Sequence, residues 1–151
     1  METIRRIPDS LAALIGLRGA LLGALALIAY VAIITLISIV YPQVNWDLIA
    51  YVASAAEPRF ANPDELHGYA YGQIRLLADE AQFAALTGAD AYRAHQFANP
   101  EAFVSMLGMY KVKALYVGLV QALSGPFGEI GAIRLITTVS TAVTGTVFLL
   151  W

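Results

Sequence analysis

Few side chains in this sequence could do chemistry, and they fall into three groups: a carboxylate at Asp47, a lysine pair at Lys111 and Lys113, and the histidines His67 and His95. Asp47 is the first charged residue after an apolar run that begins at Gly19. A carboxylate there has two readings. Asn45 caps a short helix and Asp47 complements its positive end, a local effect of about 0.3–1 kcal/mol; or Asp47 serves as a proton acceptor. Lys111 and Lys113 also have two readings. Lysines near the end of an apolar helix can snorkel to an interface, or offer point charges to a phosphate. The histidines show no HxxxH ligand spacing. His67 shares a helix face with Asp64, three residues earlier, so acid–base or metal work competes with a packed or surface role. No metal set, phosphate-binding glycine loop or Ser-His-Asp arrangement is legible, and no cofactor is implied. A divalent metal has no support from the spacing.

Composition restricts what these groups can serve. Of the 151 residues, 59% are hydrophobic and 13% charged, about half the charged fraction of an ordinary soluble domain. That balance predicts an all-α integral membrane protein. The net charge is −2 and the basic residues form no stripe, which argues against nucleic acid as a partner. The chain has no cysteine, so thiolate ligands, cysteine nucleophiles and disulfides are excluded.

The elements that must position these groups follow from hydropathy and helix-start signals. Residues 1–16 form a cytoplasmic or interfacial N-terminus, with Pro8-Asp9-Ser10 opening a helix. Arg5 and Arg6 before an apolar run, with Val52-Ala53-Ser54-Ala55 beyond it, imitate a signal peptide. The run exceeds the roughly 7–15 residues of a signal core, so a retained span is expected instead. Transmembrane helix 1 is placed at 17–41, ended by Pro42 and Gln43. An acidic helical loop covers 42–102, helix 2 covers 103–124, a turn 125–129, and helix 3 130–151, about three spans in all.

Within the loop, Phe-Ala-Asn-Pro occurs at 60–63 and again at 97–100, each copy followed by acid. Asn caps, Pro takes the first helical position and acid faces the helix dipole. Amphipathic helices are therefore expected over Pro63–Leu86 and from Pro100, lying near the membrane surface. Gly145, with Thr141, Ala142 and Thr144, suits close helix packing. Arg5, Arg6 and Arg18 beside helix 1, and Arg134 beside the 125–129 turn, set both on the cytoplasmic side by the positive-inside rule. Residues 42–102 then face the periplasm from a bacterial inner membrane.

The order of these features resembles the N-terminal portion of the GT-C membrane glycosyltransferases, the superfamily of protein O-mannosyltransferases and lipid A aminoarabinose transferases. The resemblance rests on the aspartate just outside span one, on Tyr110-Lys111-Val112-Lys113-Ala114-Leu115-Tyr116 entering span two, and on Gly128-Glu129-Ile130-Gly131-Ala132-Ile133-Arg134-Leu135 after it. Both prolines of the family's Lys-Pro-Pro-Leu-Tyr-like motif are missing, and one aspartate stands where many members have an acidic pair. The resemblance implies sugar transfer from a polyprenyl-phosphate donor at the outer membrane face. Asp47 would be the general base and Lys111 or Lys113 the contact to the departing lipid phosphate. His67, Tyr110 and Arg134 are further candidates.

Three spans enclose too little for that chemistry unaided. The rival expectation is a non-catalytic accessory or structural subunit, with membrane lipids and other membrane subunits as partners. A lipid-binding or transport component is a third.

Overall fold

The computed structural model describes residues 9–41 and 44–150. Arg5, Arg6, the Pro42-Gln43 stop and Trp151 lie outside them. The described residues are helical, with no strand: α1 (Asp9–Val40), α2 (Trp46–Ala56), α3 (Pro63–Arg75), α4 (Glu80–Gly88), α5 (Ala91–Ala98), α6 (Pro100–Met106), α7 (Gly108–Lys111) and α8 (Ala114–Leu150). A 3-10 turn, Glu57–Arg59, follows α2. The chain divides into two compact units, one from residues up to Ile37 and from Thr137 onward, the other Ser38–Ile136.

In the first unit, α1 is apolar on every side, so it has no polar face to give to water. None of Gly16–Ile37 is buried by the chain's own residues. The last turns of α8 approach it closely: a Cβ placed on Gly145 would lie 2.3 Å from Leu27 Cδ1. Glycine is what permits that approach, which supports the packing role expected for Gly145. Beside this contact lies a cavity of about 550 Å³ lined by Gly19, Ala20, Gly23, Ala24, Leu27, Ile28 and Thr146. The Gly19/Gly23 and Ala20/Ala24 pairs repeat the small-xxx-small spacing of closely packed membrane helices.

The second unit is a helical subdomain with its own core. Side-chain caps begin α2 to α6. Asn45, Asn62 and Asn99 accept hydrogen bonds from the N–H groups of Leu48, Glu65 and Ala102 at 2.8–3.0 Å. Pro63 and Pro100 occupy first helical positions, as the repeated Phe-Ala-Asn-Pro predicts.

One expected helix becomes two. Pro63–Leu86 is broken before Glu80, because the Asp79 side chain takes the Gln82 N–H while the Gln82 side chain takes the Asp79 N–H. That reciprocal capping box starts a new helix inside the predicted one. The apolar stripe of α3 is Leu66, Ala70, Tyr71 and Ile74, and it faces Ile49, Ala50 and Ala53 of α2 with Phe103, Met106 and Leu107. These helices bury their stripes on one another.

Two helices, Gly16–Ile37 within α1 and Ala114–Val147 within α8, are long and apolar enough to cross a membrane. Residues 103–124, expected as one span, are instead shared among α6, α7 and α8. The expected turn at 125–129 is present as a break in α8, where Gly128 adopts φ +67° and ψ 166°. Only glycine takes that conformation without strain. Val120 before the break and Ala132 after it pack in one cluster with Ala55. On a straight helix those two positions would be about 18 Å apart, so the chain turns back at Gly128.

Candidate functional site

Asp47 lies in the first turn of α2, beyond the Asn45 cap. The capping role is therefore real, and it does not exhaust the residue. Tyr110, the last but one residue of α7, donates its hydroxyl to Asp47 Oδ1 at 3.0 Å. One turn along α2, Tyr51 stands edge-on to both Tyr110 and Tyr116, with ring centroids 5.3 and 4.9 Å away. Lys113 donates its ammonium to the Tyr51 hydroxyl and lies over the Tyr51 ring, 5.0 Å from its centroid. α2 and the α7–α8 turn thus bring Asp47, Tyr51, Tyr110 and Lys113 into one surface cluster.

Electrostatics follow from those contacts. Burial, then the bond to Asp47, push the Tyr110 hydroxyl up to about 12. The phenol therefore remains a donor at physiological pH. The hydrogen bond to Tyr51, with Asp47 nearby, holds the exposed Lys113 ammonium above its ordinary value. Chemically the cluster is an ammonium and a phenol around one exposed carboxylate. A new hydroxyl could give its proton to Asp47 only by displacing Tyr110 or using the other carboxylate oxygen.

Lys111 points to a different partner. It pairs with Glu57, Nζ to Oε2 2.5 Å. Neither lysine lies inside the long apolar helix, since Lys111 ends α7 and Lys113 precedes Ala114. Both therefore lie outside the helix that is long and apolar enough to cross a membrane.

The remaining candidates sit elsewhere. His67 is half-buried, with Nε2 3.2 Å from the Gln96 carbonyl and its ring against Tyr71, Phe97 and Phe103. Burial lowers its pKa from 6.5, as suits a neutral packed imidazole. Arg134 is half-buried on α8, past the Gly128 break, and forms no ion pair among the described residues. No group of three or more His, Asp or Glu side chains able to share a metal ion occurs among the described residues.

Sequence reasoning missed Glu129. It is 2% exposed, accepts a hydrogen bond from the Tyr69 hydroxyl at 2.6 Å, and pairs with Arg59. Burial, with the carboxylate next in effect, raises the Tyr69 pKa. A signal for it existed: Glu129 is the sole acid after Glu101, and a lone carboxylate in an apolar segment requires a partner.

Comparison of the chain with protein-family models, with curated proteins and with solved structures finds no match.

Proposed function

We propose that this chain is a two-span membrane protein whose helical subdomain stands on one side of the bilayer, and that it serves as a non-catalytic subunit of a larger membrane assembly. The observation that carries this reading is Gly16–Ile37, a long apolar helix none of whose residues is buried by the described chain, although α8 touches it at Leu27. Such a helix needs lipid or another protein around it.

Two spans account for the contacts better than three. Residues 114–127 would extend only about 21 Å, short of the roughly 30 Å hydrocarbon core, whereas 129–150 reach about 33 Å. Glu129 also bonds Arg59 and Tyr69 of the subdomain. That argues against a topology with the 125–129 turn and residues 42–102 on opposite membrane faces.

A subunit role is favoured because the groups that would do chemistry are already engaged: Asp47 by Tyr110, Lys111 by Glu57 and Lys113 by Tyr51. The test reads topology and company together. Tags at the two ends should be labelled from the same side of sealed vesicles; labelling from opposite sides would return the chain to three spans. Gentle extraction from the native membrane should yield a stoichiometric complex, and a lone monomer in that preparation rules out the subunit role.

A second reading, the GT-C-like glycosyltransferase module in a bacterial inner membrane, is favoured by one observation. Asp47 and Lys113, far apart in the chain, share the Tyr51–Tyr110 cluster. Asp47→Asn should then abolish sugar transfer from a polyprenyl-phosphate donor, and unchanged transfer removes the proposed base.

A further inference from the structure

The turn from α7 into α8 leaves an apolar edge bare. Met109 is 65% exposed, Val112 79%, Leu115 79% and Leu119 43%. Met109 and Val112 are three residues apart, and Leu115 and Leu119 four apart, so each pair shares one helix face. The opposite face of α8 packs inward through Val117 and Val120, with Tyr116 and Leu123 beside them. A helix lying between a core and water places polar residues on its outer face. The exposed positions of α8 from 114 to 122 are Ala114, Leu115, Gly118, Leu119, Gln121 and Ala122, of which only Gln121 is polar.

Charge along this stretch of chain is one-signed, although in space Lys111 pairs with Glu57 and Lys113 lies near Asp47. Every Asp and Glu from residue 44 on lies at 47–101 or at 129, so the intervening segment, 102–128, carries no acid and two cations, Lys111 and Lys113. Apolar side chains flanked by ammonium groups and tyrosines match the boundary between acyl chains and phosphates.

We propose that Met109, Val112, Leu115 and Leu119 form a lipid-contact surface, seated at the headgroup boundary of a phospholipid bilayer with Lys111 and Lys113 against lipid phosphates. The proposal rests on the membrane reading above. Lys111 already bonds Glu57 and Lys113 bonds Tyr51, but an ammonium has three donors, so each can add a phosphate oxygen.

The chain has no cysteine, so single-cysteine variants of the full chain can carry an environment-sensitive fluorophore in phosphatidylcholine–phosphatidylglycerol vesicles. Labels at Val112→Cys and Leu115→Cys should be quenched by lipids with a shallow spin label. A label at Ile28→Cys should be quenched by a deep one, and a label at exposed Glu80→Cys only by aqueous iodide. If Ile28→Cys is lipid-quenched while Val112→Cys and Leu115→Cys behave like Glu80→Cys, the lipid surface is overturned and the membrane reading stands. Failure of Ile28→Cys to be lipid-quenched overturns both. Lys111→Gln with Lys113→Gln should reduce shallow quenching at Leu115→Cys, and no reduction refutes the phosphate contact.

Discussion

Between Gly16 and Ile37 no residue is buried by the rest of the chain, whereas Ile49, Ile74, Phe103 and Leu107 in the subdomain have no exposure at all. The long helices meet through small residues, Gly145 against Leu27, and show apolar side chains outward. The subdomain turns its apolar stripes inward, and α2 to α6 begin on side-chain caps. The contrast teaches where each unit finds its stability. One depends on what surrounds it, and the other carries its own core and hydrogen bonds.

The sharpest way to break that contrast is to damage one unit and ask whether the other notices. Phe103→Ala removes a fully buried ring from the centre of the subdomain and should cost about 3–5 kcal/mol. Urea titration of the detergent-solubilised chain should show an earlier subdomain transition with the long-helix signal unmoved. A single shared shift would mean the two units unfold together.

Glu129→Gln should cost the subdomain about 1.5–3 kcal/mol, since it weakens a charge-assisted bond from Tyr69 within a buried site. The Arg59 side chain is half-exposed, so solvent screening keeps its share small. A cost near zero would show that the carboxylate is replaceable there.

The converse experiment is Gly145→Ala, which forces Leu27 to move and should cost about 1 kcal/mol of packing between the long helices. Leu27→Ala in the same chain should recover part of it. Double-cycle thermal denaturation reads the coupling.

Asn62→Ala and Asn99→Ala each remove one cap, worth about 1 kcal/mol apiece, and should shift only the subdomain transition. The smallest effect concerns pH. His67 has a folded pKa below its unfolded 6.5 because of burial, so the unfolded state binds the proton more readily in that window. Stability should fall as pH drops below about 6.5, with a slope that His67→Gln removes. A titration unchanged by the substitution would place the slope in other groups.

Much of the local structure was legible in the sequence because its causes are local. Asn62-Pro63 and Asn99-Pro100 start helices through bonds three residues long, and Asn45 caps α2 in the same way. The capping box at Asp79 and Gln82 was equally local but lay inside an apolar pattern that suggested one continuous helix. The candidate site was legible only in part. Asp47, Tyr110 and Lys113 were each conspicuous, yet nothing in their spacing says that a phenol would engage the carboxylate.

By itself the sequence determined that the chain is helical, where four of its eight helices start, and that it carries two long apolar stretches. It could do so because hydropathy, capping and backbone preference act over a few residues. Only the tertiary structure decided that α3 packs its apolar stripe on α2, that α8 doubles back at Gly128, and that Glu129 finds Arg59 and Tyr69. Those outcomes join residues dozens of positions apart. Such pairings are chosen by the packing of whole helices, which no local pattern encodes.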